Sequence, residues 1–128
     1  ALVTTALYGG VVPDYRTDAA EATAERALSR VADRVEGVAG AATGSSVRRA
    51  RVRASVDLPP TLRGAGYRVA AANRTLVLDH PHTDVGARVA LAVPAAVDGV
   101  GGEWRSGPGD PLVVVARSAD GNATVSLR

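Results

Sequence analysis

The apolar residues of this chain keep two different periods, and the change between them limits what it can fold into. Up to Val38 they recur at three- and four-residue steps: Ala24, Leu28, Val31, Val35 and Val38. That spacing is the stripe of an amphipathic helix. Glu25, Arg26, Arg30, Asp33, Arg34 and Glu36 fill the other positions. From Val47 the period becomes 2. Ala50, Val52, Ala54, Val56 and Leu58 alternate with Arg49, Arg51, Arg53, Ser55 and Asp57, which gives a strand one buried and one wet face. A helix followed by strands argues for the α+β class with an antiparallel sheet, not for βαβ units.

Local signals divide the chain further. Asp18 with Glu21 has the spacing of a capping box and predicts the helix start. Gly37 or Gly40 predicts its end, and Ala41 to Ser46 a flexible connection. Pro59-Pro60 stops the first strand. Tyr67, Val69 and Ala71 suggest a second, and Asn73-Arg74 a tight turn into a third at Thr75 to Leu78. Ala87, Val89, Leu91 and Val93 alternate in a fourth, ended by Pro94. The Gly-rich stretch from Gly99 to Gly109 around Trp104 reads as a loop. Leu112 to Ala116 is a fifth strand, and Asp120-Gly121-Asn122 a hairpin signal before a sixth, Thr124 to Leu127. The expected architecture is an N-terminal amphipathic helix packed on an antiparallel β-sheet of about six strands.

Ahead of the helix, Ala1 to Val12 is apolar and uncharged. Twelve residues are too few for a bilayer span of about 20, and no basic n-region of a signal peptide is present. Gly9, Gly10 and Pro13 predict a break or kink after it. Ala1 in place of Met implies a processed or excised chain. The expected organisation is residues 1–16 as the end of a hydrophobic segment with its junction, and 17–128 as one globular domain.

Composition removes several chemistries. The chain has no Cys, so it forms no disulfide, thiolate nucleophile or iron–sulfur cluster. It has no Lys, so it lacks a P-loop lysine, a Schiff base and a Ser-x-x-Lys site. No Gly-x-Ser-x-Gly elbow and no Gly-x-Gly-x-x-Gly turn occurs. These absences argue against an enzyme. A formal charge of +2 gives no argument for nucleic acid or a membrane surface.

Three groups of residues could still carry function. Asp79-His80-Pro81-His82-Thr83-Asp84 gathers both histidines and two carboxylates, donors that suit zinc or another divalent metal. Its plainer reading is a polar turn, and neither a metal nor any other cofactor is assigned. Arg48, Arg49, Arg51 and Arg53 form a basic cluster. Arg49, Arg51 and Arg53 share one strand face and could hold phosphate, sulfate or an acidic sugar. The segment has no stacking aromatic, so nucleic acid is not expected. Finally, the two asparagines, Asn73 and Asn122, both stand in N-x-Thr sequons at expected turns. With 16 Ser and Thr in 128 residues, chance alone gives this about 2% of the time. The pattern points to an extracellular domain with N-linked glycans.

The order of the segments also resembles a known family. Leu7 to Arg16 reads Leu-Tyr-Gly-Gly-Val-Val-Pro-Asp-Tyr-Arg and leads into the amphipathic helix. Val56 to Gly64 reads Val-Asp-Leu-Pro-Pro-Thr-Leu-Arg-Gly, and Tyr67 to Val69 reads Tyr-Arg-Val. Leu-Val-Leu-Asp-His-Pro spans Leu76 to Pro81, before the Trp104 loop and a Val-rich strand. This resembles the type IV pilin-like, membrane-anchored proteins of halophilic archaea. The resemblance implies a non-enzymatic, secreted structural subunit at the cell surface, anchored in the membrane or assembled into a filament. Leu2, Val3, Leu7, Val11 and Val12 would then pack against other subunits or lipid, with glycans at Asn73 and Asn122. The alternative is a small extracellular module that binds an anionic glycan or phosphate through Arg49, Arg51 and Arg53.

Overall fold

A computed structural model describes residues 2–43, 49–82, 85–107, 111–119 and 122–128, with side chains from Ala19 onward. The first element, α1, is one helix of 42 residues, Leu2–Thr43, about 63 Å long. The expected stripe is its docking face. Ala24, Leu28, Val31, Val35 and Val38 are all buried, extended by Ala20, Ala27, Ala39 and Ala42. Glu25, Arg26, Arg30, Asp33 and Arg34 are exposed.

The helix bounds differ from expectation at both ends. The capping-box spacing at Asp18 and Glu21 falls inside α1, and the helix runs unbroken through Gly9, Gly10 and Pro13, where a break or kink was expected. It also passes Gly37 and Gly40, which cost about 1 kcal/mol each relative to Ala. Val38, Ala39 and Ala42 are buried beyond the first of these glycines, and that packing outweighs local propensity. The hydroxyl of Thr43 donates to the carbonyl of Ala39 at 2.8 Å in the last turn.

Seven strands follow: β1 (Arg49–Val56), β2 (Arg68–Ala72), β3 (Thr75–Asp79), β4 (Ala87–Ala90), β5 (Val97–Arg105), β6 (Leu112–Ala119) and β7 (Asn122–Leu127). They form one sheet in the order β1-β6-β7-β5-β2-β3-β4. The α+β class stands, but the antiparallel sheet of about six strands is corrected on two points. The Gly-rich stretch read as a loop supplies β5, near the middle of the sheet. The sheet is also mixed, because β5 pairs parallel with β7 while the other pairs are antiparallel.

β5 joins two halves of the sheet. Val97 to Gly102 pair with β7, with a register shift between Val97 and Gly99, and Glu103 to Arg105 pair with β2. Gly102 makes the change possible. Its φ is +96°, and an added Cβ would lie 2.4 Å from the carbonyl oxygen of Leu127.

One face of the sheet carries the core beneath α1. Val56, Leu112, Val114, Ala116, Val125, Leu127, Val69, Leu76 and Leu78 are buried there. Each fully buried Leu or Val contributes about 1.5–3 kcal/mol. Tyr67 and Trp104 meet edge to face, with ring centroids 5.8 Å apart. The Tyr67 hydroxyl donates to the Pro59 carbonyl at 2.6 Å, tying the β1–β2 connection to the core. Burial pushes the phenol up to about 12, against a smaller opposing effect of Arg30.

Candidate functional site

The histidine segment is built into the fold. The Nδ1 of His80 accepts the backbone N–H of His82 at 2.9 Å, so its Nε2 carries the proton and donates to the Leu62 carbonyl at 2.6 Å. Both ring nitrogens are thereby engaged. His82 stacks on His80 with centroids 5.5 Å apart. Asp79 bonds the Arg68 guanidinium. Asp84 lies outside the described residues. The described residues hold no group of three or more His, Asp or Glu placed for a metal. Among the described residues, His80, His82 and Asp79 make turn and sheet contacts.

The sequons lie at strand ends. Asn73 and Arg74 have φ of +51° and +61° and form the two-residue turn between Ala72 and Thr75. Two consecutive positive φ values mark a type I′ hairpin. Asn73 is exposed. Asn122 opens β7 opposite Ala119 and is exposed, while Asp120 and Gly121 lie outside the described residues. The side chains of Leu2, Val3, Leu7, Val11 and Val12 also lie outside them, although their backbone belongs to α1.

Arg74 has a role that the sequence did not indicate. Its Nη1 donates to the Val93 carbonyl at 3.2 Å and to that of Pro94 at 3.5 Å. Its Nη2 donates to the Val97 carbonyl at 2.6 Å. One guanidinium thus holds the β4–β5 connection against the turn. Arginine in a left-handed turn position gives no composition or spacing signal for such a contact.

The outer face of the sheet, opposite α1, gathers the arginines. Residues directly paired across two strands share a face. Arg51 of β1 pairs with Arg117 of β6, and Arg53 pairs with Val115. Arg49, Arg51, Arg53 and Arg117 are all exposed. Arg51, Arg53, Arg105 and Arg128 rim a basin of about 460 Å³ floored by Val113 and Val115. Val115 is only 2% exposed although it lies on this outer face. Arginine stems commonly cover apolar neighbours in this way while their charged heads stay in water.

The two halves of this face differ in charge. In the β2–β5 half, Arg68 also pairs with Arg105, but carboxylates intervene. Arg68 bonds Asp79, and it meets Glu103 at 3.1 Å; Arg105 approaches Glu103 at 3.8 Å. The hydrogen bond to Asp79, with the charges of Asp79 and Glu103, holds the Arg68 pKa above its ordinary value. In the β1–β6 half, Arg51, Arg53 and Arg117 make no ion pair among the described residues. No acidic residue is among the described residues lining the basin. Sequence reasoning found Arg49, Arg51 and Arg53 by their alternation. Arg105, Arg117 and Arg128 lie more than 50 residues away and join them only through strand order.

No curated protein and no solved structure matches the chain. A family model does match, over residues 1–128. The chain belongs to DUF7266, a family of unknown function.

Proposed function

We propose that this protein is a non-enzymatic structural subunit of the cell surface, carried and assembled through the N-terminal part of α1. One observation supports this above the others: the element that docks on the sheet also carries the apolar N-terminal segment. The buried positions described in α1 run from Ala20 to Ala42. The same helix extends to Leu2, about 25 Å beyond Ala19. Its sequence there carries no charge before Asp14. A continuous helix transmits the position of the β domain to whatever Leu2, Val3, Leu7, Val11 and Val12 pack against. No helix among the described residues is long and apolar enough to cross a membrane. These apolar side chains suit packing against the apolar helices of other subunits or against lipid. The exposed sequons at Asn73 and Asn122 fit display outside the cell, where they would carry glycans.

Fractionation of cells expressing the native gene tests this reading. The protein is expected in the membrane fraction or in material sheared from the surface. Leu7→Asp with Val11→Asp is expected to release it into the medium. Wild-type protein recovered from the soluble cytoplasm would overturn the proposal.

A further inference from the structure

The arginines of the β1–β6 half present an energetic problem. Like charges placed directly opposite on neighbouring strands are destabilising. Arg51 and Arg117 are such a pair, flanked by Arg49 and Arg53 on the same face. The other half of the sheet shows the usual remedy, since Arg68 and Arg105 oppose each other with Glu103 in reach of both and Asp79 of β3 bonded to Arg68 from the other side. At Arg51 and Arg117 no such carboxylate stands among the described residues. A ligand carrying negative charge would relieve this repulsion.

We infer that the outer face of β1, β6 and β7 binds an acidic polysaccharide, with Arg51, Arg53 and Arg117 holding its sulfate or carboxylate groups. Three features select this chemistry. Arg49, Arg51 and Arg53 project from one face at steps of about 6.8 Å, a line of charge that suits a linear polyanion. Guanidinium forks bind sulfate and carboxylate in two-point fashion. Ser55, Thr124 and Ser126 stand on the same face, with Thr124 opposite Arg117 and Ser126 opposite Val115, and offer partners for sugar hydroxyls. Nucleic acid fits less well, because Tyr67 is buried and Trp104, although it lines the basin, is only 6% exposed and offers little ring face for a base to stack on. This inference is independent of how α1 is used.

Heparin serves as the probe, on the full chain. Wild-type protein is expected to bind it with an affinity that falls as salt rises, and to melt at a higher temperature in its presence. Arg51→Thr with Arg117→Thr is expected to weaken binding at least tenfold. Without heparin, the same variant should melt above wild type, because a like-charge pair has gone. Arg34→Gln with Arg88→Thr removes the same charge elsewhere and should leave binding within twofold. Arg53→Thr gives a second, single-site reading of the face. Equal losses in both double variants would reduce the effect to net charge and overturn the inference. So would the absence of heparin binding, equal binding of single-stranded DNA, or an equal melting shift with inorganic sulfate alone.

Discussion

Gly101 and Gly102 are neighbours in β5, yet replacing each by alanine should change stability in opposite directions. At Gly102 φ is +96°, where an L side chain is strained by about 1–3 kcal/mol. The new Cβ would also lie 2.4 Å from the Leu127 oxygen and 3.0 Å from its nitrogen. Both are backbone atoms of β7, held on the other side by pairing with Val114 of β6. Reaching ordinary contact at 3.4 Å would move two central strands apart by about 1 Å. Overpacking of that kind costs about 1–3 kcal/mol. Gly102→Ala should therefore destabilise by about 2–6 kcal/mol, a large fraction of a typical domain's stability of 5–15 kcal/mol. Gly101 has no neighbour within 4 Å of an added Cβ. Gly101→Ala should stabilise by about 0.5–1 kcal/mol through loss of unfolded-state freedom. Urea unfolding followed by the fluorescence of Trp104, the one tryptophan, measures both. A Gly102→Ala variant within 1 kcal/mol of wild type would refute the close approach of β5 to β7. A Gly101→Ala loss as large as that of Gly102→Ala would refute the contrast.

Other expectations follow from single contacts. Arg74→Ala removes three hydrogen bonds to the carbonyls of Val93, Pro94 and Val97. It should cost about 2–3 kcal/mol by chemical unfolding, with Arg74→Lys recovering less than half because an ammonium cannot fork. His80→Ala should cost about 1–2 kcal/mol. Wild-type protein should show no micromolar zinc uptake by calorimetry, because both His80 nitrogens are engaged. Tyr67 gives a pH dependence: its folded pKa, about 12, exceeds the unfolded value of 10.0. Its contribution is complete below pH 10 and is lost as pH rises from 10 to 12, an effect of about 2 kcal/mol. Tyr67→Phe should flatten that part of a stability–pH curve.

Local periodicity and turn chemistry made much of this fold legible. The stripe from Ala24 to Val38 is the docking face of α1, and the alternation from Ala50 to Val56 is β1. Asn73-Arg74 is a two-residue turn because it stands between strands that carry the right alternation. β5 was not legible, since a strand containing Gly99, Gly101 and Gly102 shows no apolar alternation. The ends of α1 were misread for a related reason. Glycine and proline report local preference, whereas a stripe buried against a sheet decides whether a helix continues.

The arginine face shows the same division. Alternation alone determined that Arg49, Arg51 and Arg53 share a wet face, because side chains on a strand must point to opposite sides in turn. Nothing local in the sequence places Arg117 opposite Arg51, or Arg105 and Arg128 around one basin. Those neighbours arise from the strand order β1-β6-β7-β5, which sets distant segments about 4.8 Å apart. The charge of each residue was fixed by the sequence; that their charges gather without a carboxylate among the described residues was decided by tertiary pairing.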